Sequence, residues 1–294
     1  MKISNQSRVQ SPESRIQRRR TGDCGLRTGN CESAFTLIEL LVVIAILGLL
    51  AGLTVPVLKN FGKSDATLGA SRQLLDGVAR ARQMAISQRT TVYMVFVPTN
   101  FWANASGFNT AWWNNLTLAQ KTAATNLCDK QLTGFTFIAH GAMGDQPGQH
   151  PWHYLDQWQT LPDGTFIEFQ KFYTTNTIID QISGAQYPIS TFNYTNDIPF
   201  PTGASTNGPF LPYVAFNYMG QLTFDEQSIA PRDEYIPIAK GSVIYAADAG
   251  TKRYQFNSAD VAENPPGNST NSSYNIVHIE RLTGRAVLEF QKLQ

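Results

Sequence analysis

The sequence contains little cysteine and little charge. Its 294 residues include three cysteines and 15% charged residues, with a formal net charge of +1. Cys24 and Cys31 are seven residues apart, a spacing that argues against a pair of metal ligands, and Cys128 stands alone in the rest of the chain. Since 42% of the residues are hydrophobic, we expect a hydrophobic core to hold the chain together.

The short motifs of common enzyme active sites are also missing. The sequence has no G-x-S-x-G, H-E-x-x-H, Walker or EF-hand pattern, and its acidic residues are scattered rather than paired. His150 and His153 would share one face of a helix, but Pro151 and Trp152 between them favour a loop. We therefore predict no catalytic residues, no metal site and no cofactor.

One long hydrophobic run stands out against this background. Phe35–Leu53 is 19 residues long and contains a single formal charge, that of Glu39. As a helix it would extend roughly 28 Å, close to the hydrocarbon thickness of a bilayer. The run therefore predicts a membrane helix.

Charge is distributed unevenly on the two sides of this run. Residues 1–34 contain seven Lys or Arg against three Asp or Glu, whereas the remainder of the chain has 16 basic and 19 acidic residues. A basic flank marks the cytoplasmic side of a membrane helix, so the N-terminus is expected in the cytoplasm and the C-terminal body outside. The cluster Arg18–Arg20 fits this orienting role, and we predict no nucleic-acid partner.

Glu39 is the unusual residue of the run. A carboxylate inside a bilayer costs on the order of a few kcal/mol unless a partner neutralises it, and we find no partner for it elsewhere in the run. A cut before Phe35 would create an α-amino group four residues upstream, one helical turn away and on the same face. Such a cut would leave opposite charges at one buried helix end.

Ala34, followed by the letters FTLIELLVV, resembles the cleavage and methylation segment of type IV prepilins and type II secretion pseudopilins. The resemblance covers Ala34–Pro56. It implies that a membrane aspartic peptidase cuts between Ala34 and Phe35 and methylates the new Phe35 amine. It also implies that Glu39 occupies the fifth mature position, where it serves in assembly, and that Pro56 kinks the helix.

The segment departs from the family pattern at two places. Ala34 stands where the family usually has glycine before the cut, and Glu32 and Ser33 replace the usual basic residues.

The resemblance implies a chain in three parts: a cytoplasmic leader (1–34), a transmembrane and assembly helix (35–58) and a pilin-like globular domain (59–294). It also implies a single-pass inner-membrane protein whose C-terminal domain is periplasmic or extracellular. The expected partners are the prepilin peptidase and methyltransferase, other pilin or pseudopilin subunits, the inner-membrane assembly platform and membrane lipid.

The second half of the helix is predicted from periodicity. Between Ala66 and Gln88 the apolar residues recur at helical spacing and leave a polar face, so one long helix ending near residue 88 is expected. Thr90–Val97 is rich in β-branched and aromatic residues and predicts the first strand. The segment Arg80–Ser87 followed by this strand resembles the H-type minor pseudopilins.

Beyond that strand the composition predicts an antiparallel sheet with long loops, and hence an α+β fold. Met219-Gly220 and Thr283-Gly284 are turn signals that suggest hairpins. The long insertions are 98–132, 141–160, 173–212 and 256–273. The further predicted strands are Thr133–His140, Thr165–Phe172, Tyr213–Asn217, Gln221–Phe224, Ser242–Ala246, Asn275–Glu280 and Ala286–Gln291.

All five tryptophans lie within about sixty residues of the predicted loops. They are Trp102, Trp112, Trp113, Trp152 and Trp158. Three interpretations stay open: the rings roof the sheet as a satellite core, they form hot spots of a protein interface, or they stack on a sugar.

Three functional hypotheses follow, and all of them keep the same membrane anchor. The first is a non-catalytic, pilin-like subunit, with a minor pseudopilin favoured because bulky insertions crowd a repeated lattice. The second is a binding or adhesion module at a filament tip that uses the tryptophan-rich loops. A membrane-anchored enzyme is a third hypothesis, for which the sequence offers no supporting constellation.

Overall fold

The computed structural model describes residues 36–289, apart from 105, 147, 180–183, 185, 206–208 and 269–274, and it leaves out the side chains of 51–65, 176 and 178. The predicted leader and the predicted cleavage pair Ala34 and Phe35 lie outside the described residues. The chain divides into two units, one ending at Leu53 and the other spanning Thr54–Gln294.

The long helix is confirmed as α1, which spans Leu37–Gln88. In the second unit it buries one stripe at helical spacing, formed by Ala70, Leu74, Val78, Ala81 and Ala85. The helix assignment runs through Pro56, and the kink there stays a prediction.

The remaining helices are short: α2 (Thr110–Asn115), α3 (Leu118–Asn126) and α4 (Gln170–Tyr173), with a 3-10 turn at Cys128–Lys130. The strands are β1 (Thr91–Phe96), β2 (Ala103–Asn104), β3 (Gly107–Phe108), β4 (Gly134–His140), β5 (Trp152–Tyr154), β6 (Gln159–Thr160), β7 (Thr165–Ile167), β8 (Asn176–Ile179), β9 (Gln186–Ile189), β10 (Tyr213–Phe216), β11 (Leu222–Thr223), β12 (Glu234–Ile244), β13 (Asp260–Glu263), β14 (Asn275–Ile279) and β15 (Ala286–Glu289).

These strands form two larger antiparallel sheets and two small hairpins. The first sheet has the order β11-β10-β1-β4-β5, with β6 also on β4, and the second has the order β13-β12-β14-β15, with β7 on β12. β2 pairs with β3, and β8 pairs with β9. The pairs β10–β11 and β14–β15 are the two hairpins that the turn signals predicted. A mixed fold of a helix and antiparallel sheets is thus confirmed.

Strand β1 is buried on both faces. Val92, Met94 and Phe96 belong to a first core that also contains Leu74 and Val78 of α1. Because side chains alternate across a strand, the neighbouring residues of β1 face the other way. Tyr93 and Val95 of β1, and Val97 directly after it, belong to a second core. Residues of the long insertions complete that core.

Two strand predictions are corrected by the structure. Thr165–Phe172 is a strand only to Ile167, because the Glu168 carboxylate accepts hydrogen bonds from the backbone N–H groups of Gln170 (2.9 Å) and Lys171 (3.0 Å) and so starts α4. The strand predicted at Ser242–Ala246 begins earlier, as β12 at Glu234.

A buried ion pair joins α4 to the start of β12. The Lys171 ammonium contacts the Glu234 carboxylate, donates to the Ser190 carbonyl at 2.6 Å and lies 4.6 Å from the centre of the Phe192 ring. Burial lowers the pKa of Lys171, and the Glu234 charge opposes that shift. Removing either partner would leave an uncompensated charge in the core, so the pair holds α4 against the start of β12.

The turns of the two predicted hairpins contact each other through glycine. Gly284 has φ +62°, and a Cβ placed there would lie 2.0 Å from the Gly220 carbonyl oxygen. Gly184 has a similar φ of +71°, but its Cβ would meet no atom of a described residue within 4 Å. Comparing an alanine substitution at each glycine therefore separates the energetic cost of backbone strain from the cost of steric overlap.

We predict that Gly284→Ala lowers the free energy of unfolding by more than about 3 kcal/mol, since a steric clash adds to a left-handed backbone cost of about 1 kcal/mol. The control Gly184→Ala should lose only the backbone contribution. Urea unfolding followed by tryptophan fluorescence measures both, and equal losses in the two variants would contradict the packing of these turns.

Candidate functional site

The first site lies at the start of α1, where Thr36 and Glu39 form a capping box. One Glu39 oxygen, Oε2, accepts hydrogen bonds from the Thr36 backbone N–H (3.1 Å) and hydroxyl (3.0 Å). The Thr36 hydroxyl in turn accepts from the Glu39 backbone N–H at 3.3 Å. The spacing T-x-x-E satisfies otherwise unpaired donors at a helix start.

Thr36 gives Glu39 a hydrogen-bond partner within the run, but its neutral donors do not neutralise the carboxylate charge. The signal for this partner was present in the sequence as a threonine three residues before a glutamate. Only Oε2 is used, and within the described residues Oε1 of Glu39 accepts no hydrogen bond. One oxygen therefore fixes the helix start while the other can bind another group.

The apolar residues that follow are uncovered. Every residue from Thr36 to Leu50 is exposed, and Leu37 reaches 82%. Soluble monomers rarely expose a contiguous apolar surface of this size, which marks a surface for lipid or for protein. Over the residues that the structure describes, no helix is both long and apolar enough to cross a membrane. The membrane span of 35–58 stays a prediction.

The tryptophans build the second core. Trp102 and Trp112 are buried, and the Trp112 indole N–H donates to the Phe200 carbonyl at 3.2 Å. The core also contains Phe101, which packs edge-on against Trp102 with the ring centres 4.9 Å apart. Of the three interpretations that the sequence leaves open, the burial of Trp102 and Trp112 agrees with a satellite core, because their rings pack against Phe256 and Phe200.

The other three tryptophans lie at the rim of this core. Trp113, Trp152 and Trp158 are half-buried and pack against it. Trp113 contacts Phe256 edge-on at 5.0 Å, and Trp152 stacks on His140 at 4.3 Å. A contact of these rings with a ligand stays a prediction.

We predict that Trp112→Ala lowers the free energy of unfolding by about 3–5 kcal/mol, because it opens a cavity and leaves the Phe200 carbonyl unpaired. The matched variant Trp113→Ala removes a half-buried ring and should cost only roughly 1–2 kcal/mol. Chemical denaturation followed by circular dichroism distinguishes the two. A larger loss for Trp113→Ala would contradict the placement of Trp112 in the second core.

Three histidines lie beside carboxylates. His140 Nδ1 lies 2.8 Å from Glu226, and His153 Nε2 lies 3.0 Å from Asp145. His278 lies between two carboxylates, with Nε2 3.1 Å from Asp233 and Nδ1 3.2 Å from Glu289. His153 belongs to β5 rather than to the expected loop. Among the described residues, no three His, Cys, Asp or Glu side chains are grouped as metal ligands.

Glu226 links three parts of the fold. Its carboxylate accepts from the Tyr93 hydroxyl on β1 and pairs with His140 on β4, while Asn196 donates to the same hydroxyl at 2.9 Å. Burial raises the pKa of Tyr93, and the nearby carboxylate adds to this shift. Burial also acts to raise the pKa of Glu226, but hydrogen bonds from His140 and Tyr93 outweigh it and lower that pKa. The network was missed from the sequence because its members are far apart in the chain.

Comparison with known proteins finds a match near the N-terminus of the chain. Residues 29–55 match the family model of the prokaryotic N-terminal methylation motif. The match includes Ala34, Phe35 and the Thr36–Glu39 capping box. Neither a curated protein nor a solved structure matches the chain.

The motif is that of type IV pilin-like proteins, and it supports part of the resemblance read from the sequence. It indicates a membrane-associated, pilin-like or pseudopilin subunit of a type IV pilus or secretion type machine, in a class that is typically structural. It also implies processing by a prepilin peptidase and assembly with other pilin subunits. The H-type minor pseudopilin stays a prediction.

Proposed function

We propose that the chain is a non-catalytic minor pseudopilin-like subunit, cut before Phe35 and assembled into a filament through α1. The observation that carries this proposal is the methylation motif at residues 29–55, which coincides with a capped helix start and an uncovered apolar surface. The large second core, built from the insertions, supports a low-copy subunit, because such bulk crowds a repeated lattice.

In this proposal the leader holds the precursor in the inner membrane as a single-pass protein with its domain outside. Cleavage frees the Phe35 amine, which is then methylated. The charged amine and the Glu39 carboxylate both lie in an apolar layer, where an unpaired charge costs on the order of a few kcal/mol.

Glu39 can serve two contacts at once. Oε2 accepts from the Thr36 donors of its own helix, and Oε1, which accepts no hydrogen bond from the described residues, can accept from the Phe35 amine of a neighbouring subunit. Docking then neutralises two charges that would otherwise be stranded, which favours assembly. The apolar surface from Leu37 to Leu50 is covered by neighbouring helices in the filament, as it was by lipid before.

We predict that Glu39→Gln strongly reduces assembly and leaves membrane insertion and cleavage intact. Glutamine preserves a capping box and removes only the charge, so filament incorporation should fall by at least about tenfold. Immunoblots of sheared filaments, compared with the membrane fraction, measure this.

The matched control is Thr36→Ala, which removes the box and retains the Glu39 charge. A helix cap contributes about 1 kcal/mol, so this variant should keep most of its assembly. Normal incorporation of Glu39→Gln, or equal loss in both variants, would rule out the charge-pairing mechanism.

We predict that Ala34→Leu blocks processing, because the residue before the cut in this family is small. The precursor should then accumulate at its unprocessed gel mobility in cells that contain the peptidase. Ala34→Gly should be processed at least as well as the natural chain. Unchanged mobility of Ala34→Leu relative to the natural chain would contradict the cleavage site.

A filament-tip binding module is the second candidate function. It is favoured by the second core, which presents half-buried Trp113, Trp152 and Trp158 at its rim. Loss of a bound partner on substitution of Trp113, with the fold retained, would test it.

A further inference from the structure

A cleft in the second unit has an unusual composition. Its volume is about 670 Å³, and it lies where the residues after β1, the end of α4 and residues 209–210 meet. The residues that line it are Pro, Thr, Asn, Ala, Phe and Tyr, and none of them is Asp, Glu, Lys, Arg or His. A volume in this range suits a small organic ligand, and the lining does not suit a charged one.

Two aromatic rings of the lining are open to solvent. Tyr173 is 45% exposed and Phe210 is 59% exposed. The Tyr173 hydroxyl donates to the Thr99 carbonyl at 2.7 Å, and Phe169 packs beside its ring with the centres 4.8 Å apart. Because the hydroxyl is held by the backbone, the ring is fixed in place before any ligand arrives, which reduces the entropy cost of binding.

Three asparagines of the lining offer amide donors. The Oδ1 atoms of Asn104 and Asn109 accept from backbone N–H groups at 2.9 and 3.0 Å, and Oδ1 of Asn100 accepts from the Ser258 hydroxyl. These local bonds orient each amide group. Among the described residues, none accepts a hydrogen bond from their Nδ2 groups. The cleft therefore combines one fixed ring, that of Tyr173, and the exposed ring of Phe210 with N–H donors for which the described residues offer no acceptor.

This combination matches the chemistry of an uncharged sugar. The ring C–H groups of a pyranose form an apolar face that packs on an aromatic ring, and its hydroxyls accept hydrogen bonds from amide N–H groups. A phosphate or an acidic ligand would call for Lys or Arg, and neither occurs among the described residues that line the cleft. A purely apolar ligand would leave the amide donors unpaired.

We propose that this cleft binds a neutral oligosaccharide, which stacks on Tyr173 and Phe210 and hydrogen-bonds to Asn100, Asn104 and Asn109. The described residues that line the cleft include no tryptophan and no residue of α1. The proposal goes beyond the assembly function and does not depend on it.

The test is titration of the full chain, purified in a polyoxyethylene detergent so that no glycosidic detergent competes. The probes are maltohexaose, cellohexaose and chitohexaose, and binding is followed by saturation-transfer NMR and by calorimetry. We expect at least one of them to bind, and Phe210→Ala and Tyr173→Ala each to weaken that binding by about tenfold or more.

Two controls separate ring stacking from loss of structure. Tyr173→Phe keeps the ring and should retain most of the binding, and Leu118→Ala changes a residue that is 83% exposed outside the cleft and should leave binding unchanged. Absence of binding by all three probes, equal weakening by Leu118→Ala, or tighter binding of a sulfated oligosaccharide than of any neutral one would overturn the proposal. A peptide that binds and is lost in both ring variants, with no sugar bound, would reassign the cleft to a protein partner.

Discussion

Burial of β1 on both faces is the constraint on which the second unit depends. A strand in the middle of a sheet exposes alternate side chains on two sides, and each side needs a cover. Helix α1 supplies one cover through Leu74 and Val78, and the insertions supply the other through Trp102 and Trp112. The insertions are therefore required for the fold, because without them the Tyr93 side chain would be exposed to water.

The start of α1 obeys a different constraint. There the apolar residues are uncovered and the single acid is exposed, so the stability of this segment is determined by what surrounds it. The capping box resolves the local part of the problem by pairing Thr36 with Glu39. The rest requires lipid or neighbouring helices, and this is the physical reason that an assembly role suits the segment.

The two ends of the molecule are thus specialised in different ways. The N-terminal motif carries the features of a shared processing and assembly device, whereas the second core and the cleft beside it belong to the long insertions. Polar contacts such as Glu226 with His140, and Lys171 with Glu234, fix the positions of segments that pack against the sheets. This division fits the proposed role, in which the N-terminal helix serves assembly and the rest of the chain distinguishes the subunit from others.

The sequence by itself determined the long helix, the first strand, the two glycine hairpins and the motif around Phe35 and Glu39, because each depends on residues close together in the chain. It did not determine that Trp102 and Trp112 would be buried, or that Gly284 would touch Gly220, since those outcomes depend on which segments meet. The capping box could have been predicted from the local spacing of Thr36 and Glu39, but it was not identified from the sequence. The carboxylate networks and the uncharged cleft could not be predicted from the sequence, because their residues come together only when distant loops pack against the sheet.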